Sequence, residues 1–346
     1  MNHLIETLPV LVIYAHTRCN CRCVMCDIWK TAEHREFTVA QLEAQLPAME
    51  RLKVRWVVFS GGEPLMHSDL FALTRPLRAR GIRVTILTTG LLLERFAAQV
   101  VQHVDDVIVS LDGSDEIHDR IRRVPGTFQA IARGVEALHA LAPEYRVTAR
   151  CTVQKENHES LVATAEAARN LGLASISFLA ADMASSAFGR DRLLKNPDKS
   201  QETQAEGLCH DSERGTGVQP VFRGYADSIS LTASEIPTLA AQIEALKRDP
   251  FVADSTNHLD RIVEHFEAHL GTREHLAPRC NAPWVSAVME TDGGVRPCFF
   301  HPLIGNGRLD QALNGPVAVD FRSRLDVASN PTCRKCVCSL HLSPSP

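Results

Sequence analysis

Two patterns of apolar and polar positions alternate along the first 180 residues. Short apolar, β-branched runs fall at 10–16, 54–60, 82–88, 106–111, 146–153 and 175–179. Between them, apolar residues recur at helical spacing over 39–52, 70–80, 92–103, 128–141 and 161–171. A run of this length suits a strand buried on both faces, and a 3.6-residue period suits a helix with one buried stripe. Gly81 and Gly172 follow two of the helical stretches, where a left-handed residue commonly ends a helix. The alternation predicts βα units on a parallel sheet, and six such strands predict an α/β fold, a partial (β/α)6 TIM-like barrel over 8–181. Sheets of this kind bind ligands beyond the C-terminal ends of their strands.

The pattern breaks after Leu179. Residues 182–230 are rich in Ser, Asp, Gly, Asn and Gln and read as an insertion that can serve as a lid. Asp182 and Arg190, at its start, are placed to face substrate, but read rather as solvated loop charges. Helical spacing returns at 233–247 and 259–270, predicting linking helices across 231–278. From Cys280 onward Gly293, Gly294, Pro297 and Pro302 predict hairpins and turns, not helices, in a small cysteine-rich unit over 279–346.

Composition narrows the function classes. With 346 residues, 45% hydrophobic and 23% charged, the chain can bury a large core and is not a disordered or fibrous protein. A net charge of −4, from 37 basic and 41 acidic residues, offers no basic footprint for nucleic acid. Aromatic residues, at 5%, are too few for a base-stacking platform. Eleven cysteines cannot all pair as disulfides within one chain. The N-terminus lacks the basic region and cleavage site of an export signal, and no apolar run approaches the roughly 18 residues of a membrane span. The expectation is a cytoplasmic protein with no membrane partner, in which clustered thiols serve metal or redox chemistry.

Just past the first strand, Cys19, Cys23 and Cys26 follow the spacing C-x3-C-x2-C. Three soft thiolates within eight residues can hold one face of an iron–sulfur cubane and leave its fourth iron without a protein ligand. A zinc loop is the alternative, with His16 or Cys21 as fourth ligand. The second strand closes on Ser60, Gly61, Gly62, Glu63 and Pro64, where glycines permit close backbone approach and Glu63 adds an anionic acceptor.

In these two elements together the chain resembles the radical S-adenosylmethionine (radical SAM) enzymes. The resemblance implies that Cys19, Cys23 and Cys26 hold a [4Fe–4S] cluster. It also implies that SAM lies against Gly61, Gly62, Glu63, Pro64, Ser110, Asp112, Arg150 and Met25. Ser110-Leu111-Asp112-Gly113 resembles the family element beside the ribose and methionyl groups, and Asp112 reads equally as a helix cap. Arg150 suits the methionyl carboxylate, or a salt bridge at the barrel rim. Thr89 stands where relatives often carry Asn, and Met25 where many carry an aromatic residue.

Cys280 and Cys298, with Gly293 between them, resemble the opening of the SPASM and twitch extensions found on many such enzymes. With Cys333 and Cys336 they number four, enough for one auxiliary [4Fe–4S] cluster, and Cys338 is a possible substitute. A structural zinc knuckle would use the same spacing. Cys151 reads as packed within its strand, and Cys209 falls in the insertion. None of the fifteen histidines forms a helical ligand pair.

The resemblance implies reductive cleavage of SAM to a 5′-deoxyadenosyl radical that takes hydrogen from a substrate carbon. It implies an external electron donor such as flavodoxin or ferredoxin. Strand one begins near residue 10, leaving no room ahead of it for a leader-binding domain, which favours a small-molecule substrate of sugar, aminocyclitol or nucleoside type. An auxiliary cluster favours net oxidation. A peptide-modifying enzyme, a redox-neutral reaction, a zinc-binding interaction module and an electron-transfer protein are the alternatives.

Overall fold

The computed structural model describes residues 3–185, 187–190 and 228–342. Six parallel strands lie side by side in chain order: β1 (Val10–His16), β2 (Trp56–Gly61), β3 (Arg83–Thr88), β4 (Asp106–Ser110), β5 (Val147–Val153) and β6 (Ile176–Ala180). Helices α1 (Val39–Arg51), α2 (Leu70–Arg78), α3 (Leu93–His103), α5 (Thr127–Leu141) and α6 (Leu161–Asn170) make the crossovers. Every strand lies within two residues of its expected place. A further helix, α4 (Asp115–Arg122), sits between β4 and α5 and was not expected. Its sequence is mostly charged, so apolar periodicity does not mark it.

Local chemistry accounts for the regular elements. Thr38 caps α1 by accepting from the Gln41 N–H at 3.1 Å while the Gln41 side chain accepts from the Thr38 N–H at 2.7 Å. Along β1, Leu11, Ile13 and Ala15 are fully buried in the core, and Val10 and Val12 on the other face line a cavity. This is the two-sided burial of a covered parallel strand.

α7 (Ile236–Leu246) and α8 (Thr256–His269) follow, where helices were expected over 233–247 and 259–270. The stretch leading into α8 runs along β6, where the Phe178 N–H donates to the Asp254 carboxylate at 2.6 Å. The chain then returns to the other edge of the sheet. β7 (Ser286–Met289) pairs parallel with β1, from Val10 opposite Ser286 to Ile13 opposite Met289. β8 (Gly294–Arg296) and β9 (Gly305–Asn306) extend it antiparallel, so barrel and C-terminal unit share one sheet in the order β6-β5-β4-β3-β2-β1-β7-β8-β9.

The C-terminal unit departs from the expectation of hairpins alone. It also contains α9 (Ala282–Val285), α10 (Leu309–Asn314), α11 (Pro316–Arg324) and α12 (Pro331–Arg334). Pro283, Pro316 and Pro331 occupy first turns, where a missing N–H costs nothing. They start helices instead of breaking them. Among the described residues no helix is long and apolar enough to cross a membrane.

Candidate active site

β1 ends in a register shift between Tyr14 and His16, after which the chain leaves the sheet as the cysteine loop. Backbone hydrogen bonds from three directions fix that loop. The Gly62 and Glu63 N–H groups donate to the His16 and Arg18 carbonyls at 2.9 and 2.7 Å. Arg22 and Val24 N–H donate to the carbonyls of Arg122 and Ile121, each at 3.0 Å, at the end of α4. Asp27 N–H donates to the Phe188 carbonyl at 2.9 Å.

The first contact explains the paired glycines. Gly61 has φ +113°, and a Cβ there would lie 2.8 Å from the His16 carbonyl oxygen. At Gly62 a Cβ would lie 1.9 Å from the Arg18 carbonyl oxygen. No side chain fits, because the cysteine loop is seated directly on this turn.

Cys19, Cys23 and Cys26 border one cavity of about 220 Å³, together with Gly61, Gly62, Met25, Ser110 and Arg150. Thr89, Phe188 and Phe299 complete much of its wall. Glu63, Pro64 and Asp112 are not among the lining residues. Both Glu63 carboxylate oxygens are committed: they accept from Leu65 N–H at 3.0 Å, Thr88 Oγ1 at 2.7 Å and Thr89 N–H at 2.7 Å. Burial pushes the Glu63 carboxyl up despite these donors. Pro64 starts a buried single turn (Pro64–Met66). Thr89, in place of Asn, hydrogen-bonds Asn20 Oδ1 through its hydroxyl at 2.9 Å. Arg150 Nε donates to Ser177 Oγ at 3.0 Å, and the Met25 sulfur accepts from Gln154 at 3.7 Å.

Asp112 works behind the wall. Its carboxylate accepts from the Thr152 N–H at 2.8 Å and lies 2.6 Å from Arg122 Nη2. Arg122 in turn reaches Cys23 Sγ with Nη1 at 3.5 Å. Burial works against the Arg122 charge, but Asp112 and the thiols beside it keep the guanidinium protonated. Burial pushes the thiols of Cys19 and Cys26 up to about 12. Cys23 is lowered instead by a hydrogen bond from Cys21, with Arg122 adding to the effect.

Cys21 is fully buried in the core and His16 faces Glu36 at 3.3 Å, so neither borders the cavity as a fourth ligand. Among the described residues no group of three or more His, Cys, Asp or Glu side chains is placed to hold a single metal ion. The thiols instead surround a space. The three thiols of the loop suit a cluster with an iron left open, and Cys338 borders the same space from the C-terminal unit.

A second cavity of about 280 Å³ adjoins the first and is bordered by Cys280, Cys298, Cys333, Cys336 and Cys338. Ser60, Leu87, Arg150, Phe299 and Cys338 border both. The Cys336 thiol donates to the Cys338 carbonyl at 2.8 Å, and His301 Nε2 lies 3.4 Å from Cys333 Sγ. Cys151 is fully buried in β5, as expected. Cys209 and most of the expected insertion lie outside the described residues.

Asp182 and Arg190 are not solvated. Both are almost fully buried and paired at 2.9 Å, and Arg190 Nη2 donates to the Met25 carbonyl at 3.2 Å. The pair therefore ties the segment after β6 to the cysteine loop. Sequence reasoning also passed over Arg122 and His301. Arg122 lies one helical turn beyond His118, and His118, Ile121 and Arg122 form the buried face of α4. His301 carried no spacing signal.

Family models agree with this geometry. One described as the radical SAM superfamily matches residues 13–168, and one described as an iron–sulfur cluster-binding (SPASM) domain matches residues 280–337. Residues 13–168 are a radical SAM domain, and residues 280–337 a SPASM domain. Radical SAM domains work with SAM and a [4Fe–4S] cluster, and a SPASM domain carries an auxiliary iron–sulfur cluster. The chain is 35% identical over 156 residues to Fe-coproporphyrin III synthase of Methanosarcina barkeri, covering 43% of this chain and 38% of that one. It is 32% identical over 173 residues to AdoMet-dependent heme synthase of the same organism, covering 47% and 48%. It is 33% identical over 144 residues to GTP 3',8-cyclase of Paracoccus denitrificans, covering 38% and 40%. The chain thus spans less than half the length of these curated relatives.

Solved structures share the fold across nearly the whole chain. Native anSMEcpe with bound AdoMet superposes with a TM-score of 0.62 at 17% identity, covering 94% of this chain and 86% of that one. Streptococcus suis SuiB bound to S-adenosylmethionine gives 0.59 at 12% identity, covering 97% and 74%.

Proposed function

We propose that this radical SAM enzyme abstracts hydrogen from a small molecule and that the outcome is a two-electron oxidation, for which the auxiliary cluster, when bound, would accept the second electron. The observation that supports the reading is the pair of adjoining cavities: Cys19, Cys23 and Cys26 border one, Cys280, Cys298, Cys333 and Cys336 border the other, and Arg150 and Cys338 border both. In this reading Cys19, Cys23 and Cys26 hold the SAM-binding cluster, and Cys280, Cys298, Cys333 and Cys336 hold one auxiliary cluster. Cys338 is the remaining thiol. When bound, SAM and its cluster supply a 5′-deoxyadenosyl radical.

The residues of the chain have the tasks of binding, orientation and exclusion. Gly61 and Gly62 set the cysteine loop against the cavity, and Ser110, Met25 and Arg150 border the space for SAM. Arg150 suits a carboxylate there. Glu63 acts indirectly, by fixing the Thr88–Gly90 turn. Phe188 and Phe299 exclude water at the reacting centre. The relatives described above carry small-molecule names, which supports a small-molecule substrate over a peptide. A sugar, aminocyclitol or nucleoside is the class expected, reduced equivalents come from a flavodoxin or ferredoxin, and the setting is the cytoplasm. The working division is a catalytic unit over 8–181, an insertion over 182–230, linking helices over 231–278 and an auxiliary unit over 279–346.

Anaerobic reconstitution tests the reading. The protein should be brown, with about eight irons per chain from two four-iron clusters. Dithionite and SAM should then release 5′-deoxyadenosine, and Cys23→Ala should abolish that release. Deuterium passing from a labelled candidate into 5′-deoxyadenosine identifies the substrate. Colourless protein carrying zinc alone overturns the proposal.

A further inference from the structure

A buried guanidinium needs a reason, since removing a charge from water is costly unless it is paired. Arg122 is 7% exposed and Asp112 is fully buried. Holding the cysteine loop in place does not require the Arg122 side chain. The backbone carbonyls of Ile121 and Arg122 already accept the loop N–H groups of Val24 and Arg22, each at 3.0 Å. What the side chain adds is a charged donor 3.5 Å from Cys23 Sγ, with its Nη2 2.6 Å from Asp112. Nε of Arg122 has no hydrogen-bond partner among the described residues, so donor capacity remains beside the thiols.

The surroundings hold Asp112 so that its charge acts at a fixed place. Thr152 N–H donates to its carboxylate at 2.8 Å, and Asn157 donates to its backbone carbonyl at 2.8 Å. The Asp112 N–H donates to His118 Nδ1 at 3.1 Å, so that nitrogen carries no proton and the neutral ring adds no charge. One cation thus stands between two acceptors, a carboxylate and a cysteine sulfur.

We propose that Arg122 is a positioning residue that sets the reduction potential of the SAM-binding cluster through Cys23, and that Asp112 offsets part of its charge. The inference rests on the proposed ligand role of Cys23. A cluster held by three thiolates gains negative charge when it takes an electron. A nearby cation and an N–H···S hydrogen bond favour that reduced form. Arg122 therefore raises the potential and Asp112 lowers it.

The test is a potentiometric titration of the reconstituted holoenzyme with dithionite, followed by electron paramagnetic resonance. The relevant signal is the one that changes on adding SAM. Arg122→Gln should shift its midpoint to more negative values, and Arg122→Lys should restore most of the shift. Asp112→Asn, which removes the opposing charge, should shift it the other way. A role confined to packing would not move the two variants in opposite directions. Shifts of the same sign, or no shift in either, overturn the inference. If Arg122→Gln assembles no cluster, Arg122→Lys and Asp112→Asn decide: an unchanged midpoint in Asp112→Asn overturns it. A wild-type chain that assembles no SAM-responsive cluster refutes the proposed function instead, which is a separate result.

Discussion

Arg190 and Asp182 pair at 2.9 Å with both side chains about 2% exposed, and the same guanidinium holds the carbonyl of Met25 in the cysteine loop. Breaking a buried pair by removing one partner leaves an uncompensated charge, at a cost of about 3–5 kcal/mol. Asp182→Ala should therefore destabilise the protein by about 3 kcal/mol. The double variant Asp182→Ala/Arg190→Met should be more stable than Asp182→Ala alone. Denaturant unfolding of the single and double variants measures this, and a strictly additive cycle would remove the pair from the account.

Gly62→Ala places a methyl group where the Arg18 carbonyl oxygen stands, 1.9 Å away. The cysteine loop must then lift from β2. Iron per chain should fall from about eight to about four, because only the auxiliary site keeps its geometry. Gly81→Ala is the control: Gly81 has φ +71° and nothing within 4 Å of an added Cβ. It should cost about 1 kcal/mol and leave the iron content unchanged.

The fifth C-terminal thiol can be separated from the other four. Cys336→Ser should remove the auxiliary cluster and about four irons, while Cys338→Ser should keep them. Iron and sulfide analysis of the two variants decides between them. The reverse pattern would assign Cys338 as the ligand.

Histidine burial sets an acid limit on stability. Burial, with nearby His275, lowers His265 from 6.5 to about 4. The unfolded chain then binds a proton below pH 6.5 that the folded chain refuses until about pH 4. Stability contributed by neutral His265 is full above pH 6.5 and declines as pH falls through that window. The expected loss is about 2 kcal/mol between pH 7 and pH 5. Unfolding free energies at the two pH values should differ less in His265→Phe by about that amount, and an identical pH dependence would discount the residue.

The strands and crossover helices could be read from the sequence because their signals are local. Buried parallel strands must be apolar along their length, and covering helices must carry a stripe. The three-cysteine loop and the paired glycines were readable for the same reason, as short spacings. α4 was hidden because its buried face includes His118 and Arg122, which look like surface residues until a partner is known. The short helices of the C-terminal unit were not expected, because they are too brief for apolar periodicity and a proline in the first turn looks in sequence like a break.

By itself, the sequence determined which cysteines cluster and that the three-cysteine loop follows the first strand. Only the tertiary structure decided what they meet. It turned Glu63 and Asp112 away from the cavity into the support behind it, buried Asp182 with Arg190, and set Arg122 against Cys23. It also joined β7 to β1, bringing the C-terminal thiols over the barrel. The physical reason is that ion pairing and hydrogen bonding depend on distance and dielectric, and residues far apart in the chain acquire both only when the sheet and its helices pack.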